Sequence, residues 1–145
     1  MDAHDAEDAA ALPLAEFAFP GPLRDQLVGA ILSGAKTATA SLREEYVREG
    51  AALPVVGAEE AVVDSDERPV AVIRTTGVRV VRLADVTDGH ARAEGEGHPD
   101  AAAWREGHEE FWGSVEFIAG LGEPRIEIDD DTEVVCETFE VVRRL

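Results

Sequence analysis

The sequence predicts an α+β fold, a small β-barrel of about six strands flanked by two or three helices. Three observations lead to it. Short runs rich in valine, isoleucine and threonine recur between turn residues through the middle and end of the chain, the mark of a curled antiparallel sheet. Helical spacing is confined to a few segments, and these do not alternate with the strand-like runs as a doubly wound parallel sheet requires. With 145 residues, 45% of them hydrophobic, the chain has material for one core and hence one domain.

Residues 1–16 are rich in Asp, Glu and Ala with no sustained apolar period and read as a disordered acidic tail, which leaves 17–145 as the domain. Pro20 and Pro22 then introduce a segment in which Leu23, Leu27, Ala30 and Ile31 recur at helical spacing, with Gly34 at the expected C-terminal cap. Thr37, Thr39 and Ser41 alternate with Ala38, Ala40 and Leu42, which predicts a short strand directly after that helix. Residues 43–50 are charged and read as a helical turn or loop. Strand-like runs follow at Val55-Val56, at Ala61-Val62-Val63, at 70–76 and, past Gly77, at 78–83, with a hairpin turn centred near Asp66. Thr87 or Asp88 caps a short helix that ends at Glu94-Gly95-Glu96-Gly97. A longer helix from Pro99 carries Trp104, Arg105, His108, Phe111 and Trp112 on one stripe, its aromatic residues assigned to the core rather than to base stacking. Ile126 and Ile128 suggest a strand end, Asp129-Asp130-Asp131 an exposed turn, and 132–142 a closing strand.

Bulk properties narrow the function. Thirteen Lys and Arg against thirty-one Asp and Glu give a formal charge of −18, which repels polyanions and disfavours duplex DNA and anionic membranes. With no apolar run long enough for a membrane span and an acidic start unlike a signal peptide, a cytoplasmic location is expected. Cys136 is the only cysteine, so neither an intramolecular disulfide nor a thiol-rich zinc site can form. The histidines lack metal-ligand spacing and 129–131 lacks the glycine and distal glutamate of a calcium loop, so no metal and no cofactor are expected.

The helix leading into Gly34-x-Lys36-Thr37-x-Thr39 is followed in order by Leu53-Pro54-x-x-Gly57, by Ala71-Val72-Ile73-Arg74-Thr75-Thr76 and by Ala93-Glu94-Gly95-Glu96-Gly97. Trp104-Arg105-x-x-His108 and Val135-Cys136-Glu137-x-Phe139 complete the series. In this order the motifs resemble the ASCH domain family, small proteins with a barrel similar to the PUA domains that bind RNA, and the resemblance covers about residues 17–145. It implies a nucleoside-like small molecule or single-stranded RNA as partner. Two activities follow from it as expectations: hydrolysis of an amide on a modified pyrimidine nucleoside of the N4-acylcytidine type, or single-stranded RNA binding or cleavage through the same cleft. For the hydrolase, motif matching implies Lys36, Thr39 and Glu94 as catalytic residues, the last through His90-Ala91 and the spacing after it. The amidohydrolase of the family has an arginine two residues past its threonine, where this chain has Ser41.

Amide hydrolysis needs a nucleophile, a base and a group that stabilises the oxyanion. Thr39 offers a hydroxyl, and Lys36 can take its proton only as a neutral amine, which requires desolvation or a neighbouring cation. A close Glu94 carboxylate opposes that, so Glu94 is expected either to bind the base or leaving amine or to shuttle a proton itself. Thr37 and Ser41 flank the nucleophile as candidate substrate-binding residues. Arg74, set among valines, is either paired with an acid or directed into a polar cavity, and the same alternatives hold for Arg105 and His108.

Overall fold

A computed structural model of the chain describes residues 11–145. Of the expected acidic tail, residues 1–10 lie outside the described part. Leu14–Ala15 form a two-residue strand, β1, so the sheet begins before residue 17. The remaining elements are α1 (Pro22–Ser33), β2 (Ala38–Leu42), α2 (Arg43–Glu49), β3 (Glu59–Val63), β4 (Pro69–Arg82), α3 (Asp88–Ala93), α4 (Ala101–Trp112), α5 (Val115–Leu121) and β5 (Glu133–Arg144). A 3₁₀ turn at Leu83–Asp85 links β4 to α3.

The α+β class holds, but the strands form one open five-stranded sheet in the order β1-β3-β4-β5-β2. The barrel and the count of about six strands are therefore corrected, as is the count of helices, which is five among the described residues. The runs 70–76 and 78–83 are not two strands. They fuse into the 14-residue β4, which pairs with β5 along its length and bends at irregularities between Val72 and Ile73 and between Thr75 and Gly77. Gly77 is needed there because the strands approach closely: a Cβ would lie 2.8 Å from Thr138 Oγ1. Val55 and Val56 are exposed, they and Ile126 and Ile128 are outside any strand, and β2 ends directly against α2. Among the described residues, the edge strand β2 thus has β5 on one side and no strand on the other.

Local chemistry accounts for the helices. Pro22 opens α1 and Gly34 closes it in the left-handed conformation, with φ 86°. Thr87, Asp100 and Ser114 cap α3, α4 and α5 through side-chain oxygens that accept the N–H of His90, Ala103 and Phe117. The last of these belongs to a helix the hydrophobic periodicity did not predict. Arg24, buried in α1, donates to the carbonyls of Phe17, Ala18 and Asp64 and pairs with Glu67, which ties the helix to the β3–β4 turn. That turn is the hairpin expected near Asp66: Asp64 Oδ1 accepts the N–H of Asp66 and of Arg68.

The sheet buries apolar side chains on both faces. Trp104, Trp112, Phe117, Leu83 and Leu42 pack with Val134 and Cys136 of β5, while Val28 and Ile31 of α1 pack with Ile73 and Phe139. Trp104 and Trp112 are core residues as the sequence predicts. The junction between α1 and β2 is fastened to the end of α3, and this contact builds the site.

Candidate active site

Lys36 leaves the α1 cap with its N–H bonded to Ala30 O, and the next amide, Thr37 N–H, donates to Ala93 O at 2.8 Å. Gly95, at φ 68°, packs so tightly on this segment that a Cβ would collide with the Ala35 carbonyl. Only glycine fits both demands. The two backbones so joined place the Lys36 amine, 2% exposed, among four acceptors: Ala38 O at 2.8 Å, Glu94 O at 3.3 Å, Glu94 Oε1 at 3.8 Å and Glu96 Oε2 at 3.6 Å. This is the setting of an ammonium donor.

Glu94 is held more firmly still. Its Oε2 lies 2.6 Å from His90 Nε2 and its Oε1 3.2 Å from His108 Nε2. His108 Nδ1 donates to the Trp104 carbonyl at 2.9 Å, since a carbonyl only accepts. The neutral ring would then turn a lone pair on the Glu94 carboxylate, so His108 is favoured as the imidazolium. Its ring stacks on Trp104 at 4.0 Å between centroids, a face that also favours a cation. Burial works against charge on His108, but the Glu94 hydrogen bond and charge outweigh it and raise its pKa. His90 follows the same balance: burial opposes the charged ring, Cys136 and Glu94 favour it, and its pKa is pushed up to about 9. For Glu94, burial favours the neutral acid, yet His108, His90 and Lys36 together hold the carboxyl well below the usual range.

Glu94, Glu96 and His108 each bring one donor atom within 4.8 Å of the others, close enough to surround a cation. The Lys36 ammonium is the cation at the two carboxylates.

The Lys36 amine reaches the peptide that leads into Thr39, since it donates to Ala38 O. No side-chain hydrogen bond joins Thr39 to Lys36 or Glu94 among the described residues; its cross-strand partner is Glu137, on the same face of the sheet. Glu137 is buried and accepts a 2.6 Å hydrogen bond from Thr75 Oγ1, and its pKa is raised by burial. Burial, with the Glu137 charge adding, pushes Glu60 up to about 7, and burial likewise pushes Tyr46, hydrogen-bonded to Ser41, up to about 12. The face of the sheet that carries Thr39 thus also carries the buried acid Glu137, with the raised Glu60 and Tyr46 near it. Thr37 is exposed, with its hydroxyl 3.4 Å from Ala93 O. Arg74 is engaged by Glu59 at 2.7 Å and Glu140 at 3.8 Å, and Arg105 by Asp130 at 2.6 Å and Glu109 at 3.0 Å, so both arginines are paired with acids. Of the expected substrate-binding residues, His108 bonds Glu94 itself, and Thr37, next to Lys36, is fastened to Ala93 O.

Sequence reasoning gave no role to His90 or Glu96. His90 stands four residues before Glu94 on the same helical face, which is the spacing of a contact. Glu137 likewise shares the alternation of Val135 and Phe139, a carboxyl on an apolar row. Two surface grooves, of about 700 and 640 Å³, border α4–α5 and α2 respectively, and neither is lined by Lys36, Thr39 or Glu94.

The titrations set a pH dependence of stability. Glu60 holds its proton up to about 7 in the fold but only to about 4.5 when unfolded, so its contribution is complete below 4.5 and is lost as pH rises through 7. His90, raised from 6.5 to about 9, contributes fully below 6.5 and loses that contribution as pH rises through 9. Glu94, depressed, contributes above 4.5 and loses that as pH falls further. The melting temperature is therefore expected to peak on the acid side of neutrality, near pH ~5, and to fall steadily towards pH ~9. A calorimetric series across pH checks this, and a maximum at alkaline pH would contradict it.

The open, mostly antiparallel sheet thus carries a lysine–carboxylate–imidazole network where the first helix meets its strand. A sequence model of the ASCH domain matches residues 16–143, and the chain belongs to the ASCH domain family. Two solved structures are similar. A protein of Enterococcus faecalis V583, from the family DUF984, shares 30% identity with a TM-score of 0.74, covering 91% of this chain and 77% of that one. An ASCH domain from Lactobacillus crispatus JV V101 shares 29% identity with a TM-score of 0.73, covering 99% of this chain and 87% of that one. No curated protein matches the chain significantly. No helix among the described residues is long and apolar enough to cross a membrane.

Proposed function

We propose that the Lys36–Glu94 network binds a nucleoside-type ligand and hydrolyses an amide on it, of the N4-acylcytidine kind. The observation that carries this reading is the buried Lys36 amine beside a carboxylate clasped by two imidazoles, with the titrations of Glu94, His90 and His108 all shifted. In this reading Lys36 is a charged donor, placed to stabilise the oxyanion that forms on the acyl oxygen, and not the base. Glu94 fixes that donor and orients His108. Thr39 remains the candidate nucleophile, next in the chain to the Ala38 carbonyl that accepts from the Lys36 amine. The −18 charge favours a neutral nucleoside over a long polyanion.

The test is incubation of the purified protein with N4-acetylcytidine and, separately, with single-stranded RNA. Release of cytidine and acetate, with RNA left intact, is the expected result. RNA cleavage without deacylation would replace this reading with the nuclease one.

A further inference from the structure

We infer that Glu96, rather than Glu94, is the carboxyl that moves protons in this site, acting as general acid and base between the reacting amide and solvent. The inference rests on the hydrolytic reading above. Both oxygens of Glu94 are occupied, one by His90 and one by His108, and the residue is 1% exposed. To take up a proton it must release a charge-assisted hydrogen bond, the strongest kind it can make. Glu94 is built to stay ionised.

Glu96 differs in each respect. It lies two residues on, between Gly95 and Gly97, both at positive φ, and this turn brings its carboxyl back to within 3.6 Å of the Lys36 amine. No imidazole is paired with it among the described residues, and its side chain is 23% exposed, so it alone of the two carboxyls meets both the ammonium and water. The charged groups facing it are Lys36 from the α1–β2 junction, Glu94 from the end of α3 and His108 from α4, whose ring has His98 6.4 Å away. Burial raises the Glu96 pKa, Lys36 lowers it and Glu94 raises it again, with a net rise. A carboxyl moved towards the working pH, open to solvent and next to the oxyanion donor has the properties of an acid–base group.

The step balances as follows. The Glu96 carboxylate takes the proton of the Thr39 hydroxyl as the oxygen–carbon bond to the acyl group forms. The carboxyl then gives that proton to the exocyclic nitrogen as the carbon–nitrogen bond breaks and the electron pair leaves on nitrogen. Water repeats the cycle on the acyl-threonine, giving up one proton to Glu96, which passes it to Thr39 Oγ1 as the ester bond breaks. One water is consumed, and carboxylic acid and amine are released.

The experiment is the pH profile of N4-acetylcytidine hydrolysis for the wild type, Glu96→Gln and Glu96→Asp, with melting temperatures to verify folding. Glu96→Gln is expected to lower kcat by about 100-fold, to leave KM near its wild-type value and to remove one limb of the profile. Glu96→Asp keeps a carboxyl and is expected to restore the limb, displaced in pH. An active wild type whose Gln variant matches it in kcat and profile overturns the role of Glu96 and leaves the hydrolytic reading standing. A wild type with no hydrolysis removes that reading and the role of Glu96 together. Should the Gln variant not fold, the Asp variant decides, because unchanged kcat and an undisplaced limb would equally overturn the role.

Discussion

Replacing Lys36 with methionine is expected to destabilise the fold by about 3 kcal/mol, the usual cost of removing one partner from a buried ion pair. It is also expected to lower kcat/KM for N4-acetylcytidine by about 100- to 1,000-fold, the loss found when an oxyanion donor is deleted. Methionine keeps most of the volume, so the loss comes from charge. The Ala38 and Glu94 carbonyls lose their donor, and the Glu94 and Glu96 carboxylates face each other without the ammonium between them. Denaturant unfolding and steady-state kinetics read the two effects separately. A variant as stable as the wild type would show that the network carries little of the fold's stability, and one as active would remove Lys36 from the chemistry.

Glu94→Gln should cost a similar amount, about 3 to 5 kcal/mol near neutral pH. Glutamine keeps the shape but cannot neutralise the three cationic groups that converge on this position, His90, His108 and Lys36. His90 then loses the carboxylate that, with Cys136, holds its pKa up at about 9. The penalty should accordingly shrink as pH rises through 9, where the wild-type ring is also neutral. NMR titration of the imidazole carbons gives an independent measure, with both histidine midpoints moving down in the variant. Midpoints that stay in place would show that Glu94 is not what charges the rings.

Much of the fold can be read from the sequence because its signals are local. Pro22 and Gly34 bracket α1, Thr87 caps α3, Asp64 builds the hairpin turn, and the alternation of 132–142 marks β5. The open sheet cannot be read in that way, because closure depends on what lies beside β2, a matter of tertiary contact. Nor does Gly77 announce whether it ends a strand or lets two strands approach; the contact with Thr138 decides, and that residue is distant in sequence. At the site, the pairing of Lys36 with Glu94 follows from the motif order. The bond from the Lys36 amine to Ala38 O, which sets the amine against the peptide leading into Thr39, does not, since three residues at a helix–strand junction can turn either way. The occupancy of both Glu94 oxygens depends on His108, fourteen residues on and carried by a different helix.

The bond from Thr37 N–H to Ala93 O and the hydrogen bond from the Lys36 amine to Glu94 O close a span of 58 residues that contains α2, β3 and β4. No partial fold that lacks this closure has a site. Such sequence-distant contacts are slow to form, because the entropy of closing the loop must be met before the contact returns anything. The ammonium and its carboxylates are therefore expected to meet late in folding, after the local helices and the intervening β3–β4 hairpin.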